Sequence, residues 1–240
     1  MSAARPDTGC LVCGGPVSYL PAEREQVCSF CGGRQVSAMV CAGAGHFVCD
    51  GCHGAGAIDA IERICVASRE TDMPRLLALA RSHPSVAMHG PEHHALVAGV
   101  VLACCRNAGF AIEDDRIRAA IRRGGKHPGG ACGYLGTCGA AVGMGAAFSV
   151  ALDATPTKGP LRGEVIRAVS EALARIGATD GARCCQRDCL LALEVAAGLA
   201  PRLLGVRPVS GERPVCTQFP LNDECADTDC PFHPAAAGPR

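Results

Sequence analysis

Two cysteine pairs, Cys10-x2-Cys13 and Cys28-x2-Cys31, open this chain, and two glycines follow each of them. A C-x2-C step can turn the backbone tightly enough to offer two thiolates to one metal ion. Two such knuckles complete a tetrahedral site. The spacing therefore predicts a tetrathiolate site of Cys10, Cys13, Cys28 and Cys31. The glycines relieve the backbone where it wraps the ion. A second array, CAGAGHFVCDGCH, offers Cys41, His46, Cys49 and Cys52 for a Cys3His site, with His53 as a spare. Pairing across the two arrays, in a cross-brace, is compatible with the same spacing. Zinc is the expected metal, and iron in the same tetrathiolate geometry is its competitor. Closed four-ligand sites are structural, so residues 1–54 are expected to form a zinc-ribbon-like module that presents a surface.

Cysteine usage bounds the rest of the reading. The chain has 18 cysteines in 240 residues, and MSAARPDTGC shows no basic-then-apolar export pattern. That combination points to a reducing cytoplasm, where clustered cysteines serve as metal ligands or reactive thiols rather than disulfides. Formal net charge is zero, aromatics are 3% and tryptophan is absent, so neither a nucleic acid nor a membrane surface is an expected partner. The longest apolar run, ALVAGVVLACC, is too short to span a bilayer and suits a buried helix.

From residue 55 to 205 the pattern turns to Ala, Leu, Ile and Val at helical spacing. IDAIERICVASRE reads as one helix, and TDMPRLLALARS as another with Pro74 early, where its missing N–H costs little. GPEHHALVAGVVLACCRNAG starts at Pro91 and stops at Gly109. EDDRIRAAIRRGG carries acid first and base last, as the helix dipole prefers. LRGEVIRAVSEALARIG and RCCQRDCLLALEVAAGLA complete a mostly α-helical domain. Residues 206–240 are turn-rich and are expected to lie over that domain as a tail ordered by its own cysteines.

The segment GGACGYLGTCGAAVGMG, residues 129–145, differs from an ordinary core helix. Its first part reads as a loop, and a helix is expected from about Thr137, with Gly139 and Gly143 four apart to admit a close neighbour. Cys138 would then stand at a helix N-terminus, where free N–H groups favour a thiolate or a metal–sulfur cluster. Cys104 and Cys105 sit late in an apolar helix and suit core packing, while Cys185 and Cys189 share a helix face. His89, Glu92, His93 and His94, in MHGPEHHALV, are candidates for acid–base work or for a solvated first turn. Arg187 can bind a carboxylate or offset cluster charge. In the tail, Cys216, Cys225, Cys230 and His233 are further metal-ligand candidates. CPFH carries the Cys-Pro step found at cluster ligands, and C-x2-H also suits zinc.

The combination of GGACGYLGTCGAA, GARCCQRD and the C-terminal CTQFPLNDEC with its following CP resembles a cysteine-rich prokaryotic family frequent in anaerobes. That family is described only as a domain of unknown function, and the resemblance implies no activity. A shorter stretch is similar to the alpha domain of iron–sulfur L-serine dehydratases and related cysteine desulfidases. Cys138 and Gly143 match one helix start of that domain, and Cys184, Arg187 and Asp188 approximate another. Gly139, Ala141 and Arg183 depart from its pattern, and no cysteine stands between Cys138 and Cys184 as its middle ligand.

That resemblance implies an iron–sulfur cluster, of the 4Fe-4S type, on Cys138 and Cys184; Cys132 and Cys185 complete the expected ligand set, with Cys189 or the tail as the other sources of a third ligand. The implied chemistry is lyase-type or sulfur-handling, on a small carboxylate-bearing substrate. Arg187 would hold the carboxylate, and Glu92, His93 or His94 would move the proton. The alternative is a non-enzymatic multi-zinc scaffold that docks on a partner in a redox or sulfur pathway.

Overall fold

A computed structural model of the chain describes residues 10–49, 52, 55–209 and 211–236. His53 lies outside the described residues. The first strands form one antiparallel hairpin, β1 (Val17–Val27) and β2 (Arg34–Cys41), with Val17 opposite Cys41 and Val27 opposite Arg34. A register shift between Tyr19 and Arg24 lets residues 20–23 bulge from the ladder.

Eight α-helices follow among the described residues: α1 (Ala57–Ala67), α2 (Met73–Arg81), α3 (Glu92–Asn107), α4 (Asp114–Gly124), α5 (Ala131–Tyr134), α6 (Gly139–Ala151), α7 (Gly159–Gly177) and α8 (Cys185–Leu204). The fold is mostly α, with the Cys-rich hairpin module at its N-terminal end and the cysteine-bearing tail at the other. No helix among the described residues is long and apolar enough to cross a membrane.

The centre of the helical part is α3. Its middle, Ala95 to Cys105, is buried without a break, because α1, α2, α4, α6 and α8 all pack around it. Cys65, Cys104 and Cys105 belong to this core and are fully buried. Burial holds the thiols of Cys65 and Cys105 up to about 12 and raises that of Cys104 as well. These three cysteines are packing groups.

Helix α3 packs directly against α6. A methyl group added at Gly143 would run into the carbonyl of His94, and one at Gly139 into the His94 ring. Those two glycines therefore set the distance between the helices, as their spacing suggested. Cys138 is the N-cap of α6, as expected, but GGACG is not all loop: Ala131–Tyr134 form one helical turn entered through Gly130 at φ 78°.

Asp72 caps α2 by accepting from the N–H of Arg75 at 3.1 Å. Its other oxygen accepts from the N–H of Gly211 at 3.1 Å, and its backbone bridges to Val209. The same residue thus starts a helix and pins the tail. Farther along, the tail is held by Cys216 N–H to the Phe232 carbonyl at 2.7 Å and by the buried Phe232 ring. The hairpin module is joined to the helices at His83, whose Nε2 donates to the Cys52 carbonyl at 2.6 Å while its ring meets Phe30. Phe30, Phe47 and Cys52 fall within the same apolar cluster as the helical core.

Candidate metal centres

The hairpin decides how the N-terminal ligands combine. Cys10 and Cys13 precede β1 and so lie at the open end of the hairpin, beside Cys41 at the end of β2. Cys28 and Cys31 form its turn, at the other end of strands that span roughly 25 Å. The fourteen residues between the two knuckles are mostly strand, and the strand holds the knuckles apart.

The expected grouping by sequence order is therefore corrected. One site gathers Cys10, Cys13, Cys41 and His46, and the other Cys28, Cys31, Cys49 and Cys52; within each, the ligand atoms all lie within 4.8 Å of one another. Cys13 Sγ is 3.6 Å from Cys41 Sγ, Cys10 Sγ is 3.6 Å from His46 Nδ1, and Cys31 Sγ is 3.7 Å from Cys49 Sγ. A tetrahedral zinc with bonds of about 2.3 Å sets neighbouring sulfurs roughly 3.8 Å apart, so both groups can hold such an ion. The arrangement is a cross-brace.

Backbone N–H groups prepare two of these sulfurs, those of Cys28 and Cys41, for the charged state. Cys28 is desolvated, which pushes its thiol up, yet N–H groups from Cys49, Cys31 and Phe30 outweigh burial and bring it to about 7. At Cys41 the N–H of Ala44, helped by that of Gly43, draws the thiol down to about 6. Cys52 is raised, by burial and then by the thiols beside it. In Cys31 the sulfur accepts from the N–H two residues on, at Gly33, 3.4 Å away. That i to i+2 contact marks a metal knuckle.

Among the described residues, no other group of three or more His, Cys, Asp or Glu residues brings its ligand atoms within 4.8 Å. The four expected cluster ligands separate around the start of α8. Cys184, its N-cap, lines a pocket between helix and tail together with Cys216, Cys225 and Cys230. His89, His233, Arg81 and Arg187 line it too. Cys132, Cys138 and Cys185 do not line that pocket. They lie on the side of α5 and α6, where Cys132 acts electrostatically on both Cys138 and Cys185.

Cys138 donates its S–H to Asp188 at 3.7 Å. Burial, reinforced by that carboxylate, holds the thiol up at about 12 in spite of the N–H groups of Ala140 and Ala141. The helix N-terminus does not win here: burial and Asp188 keep the Cys138 thiol protonated at neutral pH. Asp188 in turn pairs with Arg187 at 3.0 Å, and burial raises its carboxyl against that cation. Cys189 is fully buried, and its thiol lies 3.9 Å from the His93 carbonyl.

The expected acid–base residues are each engaged in contacts within the fold. Glu92 accepts from the N–H of Ala87 at 3.0 Å. His93 is buried, with Nδ1 donating to the Gly90 carbonyl at 3.1 Å and Nε2 against the Arg81 guanidinium. Burial, and then Arg81, lower His93 to about 3, so at neutral pH it has no proton to give from a charged ring. His94 donates from Nδ1 to the His127 carbonyl at 3.0 Å and packs on α6. Arg187 is 4% exposed, and its guanidinium serves Asp188 and the Ala182 carbonyl.

Arg81 was not legible as a site residue. At the end of α2 it reads as an ordinary dipole partner, yet it is buried and donates to Gln218 of the tail at 2.5 Å. Burial lowers its affinity for the proton, and the thiols of Cys189, Cys184, Cys185 and Cys216 act in the opposite direction.

A helical domain joined to a cross-braced Cys/His hairpin defines the class: a cysteine-rich, mostly α protein with two N-terminal sites able to hold metal ions. The chain belongs to a family of unknown function, DUF5714, whose model matches residues 61–233. The match takes in the helices and the tail cysteines and begins beyond the hairpin module. No curated protein and no solved structure matches the chain.

Proposed function

We propose that this protein is a metal–thiolate protein in which two structural zinc ions anchor the hairpin module, and an iron–sulfur cluster at the start of α8 serves electron or sulfur handling. One observation carries the reading: the cysteines used neither by the hairpin sites nor by the core surround the first turns of α8, together with two buried guanidiniums, Arg81 and Arg187. A cluster ligated by thiolates is anionic, and buried cations beside it offset its charge. The zinc sites draw all four ligands from the protein, so they support shape rather than chemistry.

Elimination on a carboxylate-bearing substrate has less behind it. Arg187 is spent on Asp188, and His93 is neutral and enclosed. Iron and acid-labile sulfide, measured on full-length protein purified without oxygen, test the reading. Iron and sulfide in equal amounts with a brown absorbance support it. A colourless protein with more than two zinc ions per chain overturns it in favour of a multi-zinc scaffold.

A further inference from the structure

The pocket between the start of α8 and the tail has the features of a built ligand set. Each of its four sulfurs receives an N–H. The N–H of Arg187 reaches Cys184 Sγ at 3.5 Å, that of Asp227 reaches Cys225 Sγ at 3.4 Å, and Gln186 Nε2 reaches Cys216 Sγ at 3.7 Å. The fourth sulfur, Cys230, is served by the backbone N–H of Phe232. Cys225 and Cys230 thus repeat the i to i+2 contact that Cys31 makes with Gly33 in the hairpin module. Burial raises the thiols of Cys184 and Cys230 on balance, and these donors act against it; N–H groups aimed at sulfur are a means by which proteins stabilise metal–sulfur centres.

Two residues that line the same pocket carry buried, unpaired polar atoms. His89 donates from Nε2 to Asn222 Oδ1 at 3.1 Å, an oxygen that also accepts from the N–H of Glu224. This engages Nε2, and the other ring nitrogen, Nδ1, is buried with no partner. Gln186 Oε1 is buried without a partner as well. Buried polar atoms left unpaired cost free energy, and here two of them border the four sulfurs.

The spacing in this pocket differs from that in the hairpin sites. In the hairpin sites the ligand atoms close to within 4.8 Å, as one zinc requires, whereas no three ligand atoms of this pocket do so. A cubane holds each thiolate on a different iron and therefore spreads them farther apart than a single ion does. Cys230 is followed by Pro231, the step seen at cluster ligands.

We propose that Cys184, Cys216, Cys225 and Cys230 together hold the cluster, with the tail contributing three of its four ligands; this rests on the reading that the helical domain carries one. Four thiolates leave no iron open to a substrate, so the centre passes single electrons rather than acting as a Lewis acid. The tail is then half of the site, and cluster binding and tail docking are one event.

The test uses the full chain purified without oxygen, as wild type, as Cys216→Ser, as Cys225→Ser and as the double variant Cys132→Ser/Cys138→Ser. The expected result is loss of most of the iron in each tail variant with both zinc ions retained, and wild-type iron in the double variant. Iron kept by the tail variants but lost from the double variant overturns the ligand assignment and leaves the cluster reading standing. Wild-type protein without iron overturns that reading itself.

Should a tail variant lose its zinc and fail to fold, alkylation of the wild type gives the answer. Iodoacetamide labelling before and after oxidative removal of the cluster is expected to expose Cys184, Cys216, Cys225 and Cys230, with Cys132 labelled in both states. Protection that moves instead with Cys132 and Cys138 contradicts the assignment.

Discussion

Cys184 and Cys185 are neighbours in the chain, yet of the two only Cys184 lines the tail pocket. Cys184 caps the helix and lines the tail pocket, while Cys185 interacts with Cys132 on the α5 side. Cys184 is the extended N-cap, at φ -142°, and Cys185 the first helical residue, so the two side chains leave the backbone in different directions. Arg187 and Asp188, one turn on, form a buried ion pair.

The crossed pairing of the hairpin ligands predicts which substitutions act together. Cys13→Ser and Cys41→Ser fall on the same site and are expected to remove the same zinc, so the double variant loses no more metal than either single one. Cys13→Ser with Cys31→Ser is expected to lose both ions. Zinc released on thiol modification, counted per chain, reads this directly, and additive loss for Cys13 with Cys41 contradicts the cross-brace. Metal binding here is also folding free energy, so a strong chelator is expected to melt the hairpin module and loosen Phe30 from His83.

Gly143→Ala tests the approach of α3 to α6. Alanine favours an isolated helix by about 1 kcal/mol over glycine. Here its methyl would meet the His94 carbonyl, and two packed backbones must part. Forced repacking of this kind costs roughly 1–3 kcal/mol, so net destabilisation is expected in chemical denaturation. A variant as stable as wild type contradicts the close approach.

His93 gives the molecule an acid-sensitive core. Its ring is held near 3 by burial and then by Arg81, against an ordinary value of 6.5. Between those values the unfolded chain binds a proton that the folded one refuses. The stability owed to the neutral ring is therefore complete above about pH 6.5 and falls as pH drops, by up to about 1.4 kcal/mol per unit. Denaturant midpoints from pH 7 to pH 5 measure the slope, and His93→Gln is expected to flatten it. An unchanged slope in that variant means the acid sensitivity lies elsewhere.

Asp72 joins a helix start to the tail through its two oxygens. Asp72→Ala is expected to lower stability by about 1 kcal/mol through the lost cap alone. It is also expected to abolish hydrogen-exchange protection at the Gly211 amide. Retained protection there would show that the tail is pinned by other contacts.

Much of this was readable beforehand, and the gaps have physical causes. Helical periodicity and capping residues located the long helices because each rule acts within one turn or one face. The eight hairpin ligands were legible from local spacing, but their pairing depended on how far a strand carries Cys28 from Cys13, and C-x14-C spacing does not encode that length. Cys138 reads as a thiolate from its helix terminus alone; burial and the carboxylate of Asp188, on α8, reverse that. Arg81 and the unpartnered His89 Nδ1 acquire meaning only when residues 216–233 fold over them.

The central claim is tested most directly by locating each metal in crystals of protein purified without oxygen, with diffraction recorded at the zinc and iron edges. The account predicts two zinc peaks, one among Cys10, Cys13, Cys41 and His46 and one among Cys28, Cys31, Cys49 and Cys52. It predicts iron only among Cys184, Cys216, Cys225 and Cys230. Zinc in that pocket, or iron beside Cys132 and Cys138, would contradict it.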